Sequence, residues 1–155
     1  MASLALLKAR TDRRLDDVRQ SWRDLIGSAQ TSIRIVGGEL NSKIYEDPGI
    51  LAALMDAISR GVRIEIVHGP QVDPATEKIL ELDRDNENVT LYRLAIRPPA
   101  HFMVVDERVA EIESFHGPGA EDRQTFTKFD TLFLAQRLAI EFEKIKGQAN
   151  SRGGA

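Results

Sequence analysis

A single run, strand–helix–strand from Thr31 to Val67, leaves this chain few folds to choose from. Ile33, Ile35 and Val36 sit in a short apolar stretch that Gly37-Gly38 ends. A polar loop from Glu39 to Asp47 follows, and Pro48 then stands near the start of a helix reaching about Ser59. Leu51, Leu54, Met55 and Ile58 recur on one side of it, and Arg60-Gly61 closes it with a basic residue and a glycine. Val62 to Val67 is a near-continuous β-branched run. Strands joined through a helix of this length lie parallel in one sheet, so the chain is expected to be an α/β protein.

The flanking segments fit that frame. Residues 1–30 read as one long helix, with Leu15, Val18, Trp22, Leu25, Ile26 and Ala29 as its apolar stripe. After strand two, Asp73-Pro74 is expected to open a helix, Asp73 as N-cap and Pro74 in the first helical position. Val89 to Leu94 reads as a third strand, and Phe126 to Phe129 is ambiguous. From Asp130 a last helix runs to about Lys146, with Gly147 as its stop. The organisation expected is an N-terminal helical extension over 1–14, one domain over 15–148 and a disordered tail over 149–155. The sheet is expected to be mixed and mostly parallel, with helices on both faces.

Composition removes several function classes. The chain has 155 residues and no cysteine, so disulfides, thiolate metal sites and cysteine nucleophiles are excluded. A net charge of -3 argues against general polyanion binding. Arg10, Arg13, Arg14, Arg19 and Arg23 gather near the start, but Asp12, Asp16 and Asp17 interrupt them, which suits a solvated helix face. No apolar run approaches membrane-spanning length, and Ala2 to Leu7 is too short for a secretory core; the cytoplasm is the expected compartment.

Chemistry concentrates in residues 99–116. An apolar run, Phe102 to Val105, a polar triplet, Asp106 to Arg108, and a second run ending at Ser114, Phe115 and His116 read as a hairpin. If the pairing folds between Glu107 and Arg108, His101 lies opposite Ser114, and His101, Ser114 and His116 share one face. Ligands in α/β sheets bind at the carboxyl ends of strands. Glu39 and Asn41 after strand one and His68 after strand two are therefore further candidates.

From about Asp16 to Lys146 the layout resembles one half of the phospholipase D superfamily fold. The pieces that carry it are SAQTSIRIVGGEL, ILAALMDAISRGVRIEIVHGP, HFMVVDERVAEIES and the closing FEKIK. That family's signature is His-x-Lys-x-x-x-x-Asp followed by Gly-Ser and often x-Asn. Anchored on Asp106, the family histidine falls on Pro99, the lysine on His101, the glycine on Glu113, the serine on Ser114 and the asparagine on His116. A second register puts the histidine on His101, but then Met103 replaces the lysine and Arg108 the aspartate. The first register also aligns the Met-Val-Val run and Ser114, and is preferred.

The resemblance implies a phosphodiester chemistry built on a histidine nucleophile, and a homodimer that joins two motifs in one cleft. Proline offers neither nucleophile nor acid, so the expectation is a degenerate, non-catalytic member that needs no cofactor. Such a module would recognise a phosphate-containing ligand, a nucleic-acid backbone or a protein partner. His101, Ser114 and His116 would hydrogen-bond the phosphate. Two alternatives stay open. His68, His101 and His116 could converge with Glu39 or Asp106 on a metal, or His101 or His116 could serve a rearranged phosphodiesterase or nuclease site, with Asp106 as a further catalytic candidate.

Overall fold

The computed structural model describes residues 9–12, 14–113 and 126–153. Seven strands form one sheet: β1 (Ala9–Asp12), β2 (Ser32–Val36), β3 (Arg63–His68), β4 (Val89–Arg93), β5 (Phe102–Val105), β6 (Val109–Glu113) and β7 (Phe126–Phe129). Five helices accompany them: α1 (Leu15–Ser28), α2 (Ser42–Tyr45), α3 (Pro48–Ser59), α4 (Glu77–Asp85) and α5 (Leu132–Gly153). The strand order is β1-β7-β6-β5-β2-β3-β4. The sheet is mixed, but only β2–β3 and β3–β4 are parallel; the other four neighbouring pairs are antiparallel. Parallel pairing is thus the minority, because the hairpin and its neighbours occupy the other half of the sheet.

Two apolar layers hold the sheet. On one face Val18, Trp22, Leu25 and Ile26 of α1 and Leu54 of α3 pack with Ile33, Ile35, Ile64, Ile66 and Met103. On the other, Ala135, Ala139 and Phe142 of α5 meet Val36, Val67, Phe102, Val104 and Ala110. Burying each large aliphatic side chain contributes about 1.5–3 kcal/mol. The alanines let α5 lie close to the strands, and Phe142 fills the space between them.

Local chemistry explains the central crossover. Asp47 accepts from the Ile50 amide as N-cap of α3, and Pro48 takes the first turn. At the other end Gly61 adopts φ +83, its amide donating to Ile58 O and that of Val62 to Ala57 O. This is a Schellman closure, and it needs the glycine.

Three expectations change and one ambiguity is resolved. The first helix starts at Leu15, and residues 9–12 form an edge strand paired with β7 rather than part of a helical extension. Residues 126–129, ambiguous in sequence, form that partner strand. Asp73 does not cap a helix: its carboxylate accepts from the Ala75 and Ser42 amides, making a turn, and α4 begins at Glu77. Gly147 does not stop α5, which continues to Gly153 because buried Ala149 still packs in the second layer. A mid-helix glycine costs only about 1 kcal/mol, which a long packed helix tolerates.

Candidate functional site

The hairpin sets the site, and its register differs by one residue from the sequence expectation. Asp106 and Glu107 both take positive φ, 54 and 56, and Arg108 N donates to Val105 O. Strand pairing then runs Val105↔Val109 to Phe102↔Ile112, and Glu113 N donates to His101 O. His101 therefore lies opposite Glu113, not Ser114. A one-residue slip exchanges the two faces of a strand, so the face proposed for His101 changes partner. Ser114 and His116 lie outside the described residues.

Asp106 has a structural post. Its carboxylate accepts from the backbone amides of Gln30, Thr31 and Ser32 and from the Thr31 hydroxyl, at 2.8–3.1 Å. Burial pushes this carboxyl up, but those donors outweigh it and hold it below the usual carboxylate range. Five residues of extended chain separate it from His101, about 17 Å at the usual strand rise. The two cannot act on one ligand atom, so Asp106 leaves the catalytic and metal candidates.

His68 is buried at the end of β3, beside Arg93 of β4. Its Nδ1 donates to Gly69 O at 2.7 Å, since a carbonyl can only accept. Burial holds its imidazole below the ordinary histidine range, and Arg93 adds to this, against the smaller opposing pulls of the Gly69 bond and Asp83. It does not line the cleft described next. Among the described residues no three His, Asp or Glu side chains gather closely enough to hold a metal ion.

A cleft of about 690 Å3, open solvent at its mouth included, lies at the carboxyl end of β2 between α1, α2 and the hairpin. Glu39, Asn41 and His101, three of the sequence candidates, line it. Asn41 is largely committed: its side chain accepts from Lys43 N as N-cap of α2. His101 Nδ1 lies 2.9 Å from Glu113 Oε2, a contact that fixes the imidazole plane. A Cβ placed on Gly38 would stand 2.9 Å from both His101 Nε2 and Arg97 Nε. A side chain at position 38 would displace both from these positions, and the two nitrogens lie within about 6 Å of each other. Gly69 seals the same corner, its amide donating to Gly38 O at 3.0 Å.

The cleft also contains residues that sequence reasoning missed as site residues. Trp22, Tyr45, Glu111, Glu113 and Arg97 all line the cleft. Glu111 is 2% exposed and accepts from Ser21 Oγ at 2.7 Å. Tyr45 is 3% exposed; burial first, and then the nearby Glu113 charge, push its phenol well above its ordinary range. It stays a neutral hydroxyl. Trp22 meets Tyr45 edge to face at 5.9 Å. One signal could have found the glutamates: in Val-Ala-Glu-Ile-Glu they occupy alternate positions, so both point to one face of an interior strand, where unhelped carboxylates are costly.

No known protein-family model matches the chain, and no curated protein matches it by sequence. Solved structures do. Nuc from Salmonella typhimurium, a phospholipase D family member, matches with TM-score 0.69 and 20% identity, over 92% of this chain and 95% of its own. NucT from Helicobacter pylori gives TM-score 0.70 at 16% identity, over 92% of this chain and 97% of its own. TrmBL2, an archaeal chromatin protein whose structure shows a novel mode of DNA binding, gives 0.72 at 14% identity. The match covers 91% of this chain but only 53% of TrmBL2, so the chain spans about half that protein's length. The chain has the phospholipase D-like fold. Among the described residues no helix is long and apolar enough to cross a membrane.

Proposed function

We propose that this chain is a non-catalytic binding module that holds a phosphate-containing ligand at the mouth of the cleft. The observation that carries this is the convergence of His101 Nε2 and Arg97 Nε over Gly38. Arg97 donates to phosphate oxygens with a permanent charge, and His101 Nε2 donates to the same group when the ring is protonated, its Nδ1 already facing Glu113. Among the described residues Arg97 makes no ion pair, so its charge is not already spent within the fold. Pro99, where the resemblance places the nucleophile, has no side chain that could accept a phosphoryl group. The ligand's phosphate could belong to a small molecule or a nucleic-acid backbone. A homodimer belongs to the same reading, as the phospholipase D resemblance implies. Sedimentation showing only monomer at high concentration would remove it.

The test is calorimetry with inorganic phosphate and with a short phosphodiester, alongside turnover of an activated phosphodiester with and without divalent metal. Binding should weaken at least tenfold in Arg97→Ala, and no turnover should appear. A second reading has its own observation, the 2.9 Å contact between Glu113 and His101. A carboxylate that orients an imidazole is the arrangement of a general base or nucleophile. Turnover by the wild type that disappears in His101→Ala would establish that rearranged hydrolytic site and end the non-catalytic reading.

A further inference from the structure

We propose that the floor of this cleft takes hydroxyl groups, so that the ligand is a phosphate ester of a polyol. The inference rests on the phosphate reading of the rim and adds what lies beneath it. Trp22 is 7% exposed, and its indole Nε1–H is buried without a hydrogen-bond partner. Such orphaned donors are uncommon in folded proteins, and a group that accepted from this one would remove its cost. Tyr45, 3% exposed as a whole residue, lines the same floor, and its Oη makes no hydrogen bond among the described residues. Beside Trp22 and Tyr45 stand two carboxylates that only accept: Glu111, which already takes the Ser21 hydroxyl, and Glu113, which already faces His101.

This donor and acceptor set discriminates between ligand groups. A phosphate only accepts, and seated on the floor it would face two carboxylates. An ammonium only donates, and would leave Trp22 Nε1 unmet, although Tyr45 Oη could accept from it. A hydroxyl does both: it accepts from the indole or phenol and donates to a glutamate. The rim has the opposite character, since Arg97 there offers donors alone. One ligand with an anionic end and a hydroxylated end would satisfy both parts, with the phosphate at Arg97 and His101 and the hydroxyls below.

Trp22 is the chain's single tryptophan, so its fluorescence reports entry of a ligand to the floor. The probes are ribose 5-phosphate, methyl phosphate and ribose, followed by Trp22 fluorescence and by calorimetry. Ribose 5-phosphate is expected to bind at least tenfold more tightly than methyl phosphate and to shift the Trp22 emission. In Tyr45→Phe, which keeps the ring and its packing, that preference should fall to threefold or less. Arg97→Ala should weaken both phosphates together. Equal binding of the two phosphates, or a preference unchanged by Tyr45→Phe, would overturn the polyol inference while leaving the phosphate reading in place. Ribose binding as tightly as ribose 5-phosphate would instead overturn the phosphate reading and keep the floor. No binding of any probe would overturn both.

Discussion

Asp106 shows what one carboxylate can hold together. It gathers three consecutive backbone amides between α1 and β2 while standing in a left-handed turn conformation that aspartate tolerates. Asp106→Ala would leave those donors without a charged acceptor, and chemical denaturation should show a loss of about 2–3 kcal/mol. His68 gives a different signature. Its folded pKa lies below 6.5, so between that value and 6.5 the unfolded chain binds more protons than the folded one. Stability from this residue is complete above 6.5 and falls as the pH drops through that window. Urea midpoints at pH 7.5 and 5.5 should separate in the wild type and draw together in His68→Gln. The carboxyls of Asp47 and Asp106, lowered from 3.8, respond only in more acid solution.

At the scale of elements, α5 and the hairpin behave differently. An added Cβ on Gly147 meets nothing within 4 Å, so Gly147→Ala should raise stability by about 1 kcal/mol in a denaturation curve. Gly38→Ala should gain nothing in the same denaturation curve, because its methyl would push aside the His101 and Arg97 side-chain ends. Lys146 pins α5 to the sheet by donating to buried Glu65 at 2.9 Å, with Arg34 and Arg63 within 4.0 Å of the same carboxylate. Lys146→Met should cost about 2 kcal/mol, below the usual range for a broken buried pair because the arginines remain. The central crossover was legible in sequence because periodicity, the proline start and the glycine stop agreed. The hairpin was legible as a hairpin, but its register was not. Asp106-Glu107 is no glycine-type turn, and nothing in the local sequence says which two residues take positive φ. That one residue decided whether His101 meets Ser114 or Glu113. The start of α1 was misread for a related reason: a short edge strand at 9–12 depends on a partner more than a hundred residues away.

For the whole molecule, the fold came through most clearly, since apolar periods and one family-like motif pointed the same way. The candidate residues separate in space. Glu39, Asn41 and His101 do line one cleft, and His68 and Asp106 serve the framework instead. Arg97, Trp22 and Tyr45 were hidden because each looks ordinary alone: a loop arginine before two prolines, a core tryptophan, a loop tyrosine. Only the sheet order brings them around β2. The central claim is that Arg97 and His101 bind phosphate without cleaving its esters. The most direct measurement is calorimetric titration of a short phosphodiester into wild type, Arg97→Ala and His101→Ala, with the recovered ligand checked for cleavage. The account predicts saturable binding by the wild type, at least tenfold weaker binding in both variants, and intact ligand throughout. Cleaved ligand, or binding indifferent to both substitutions, would contradict it.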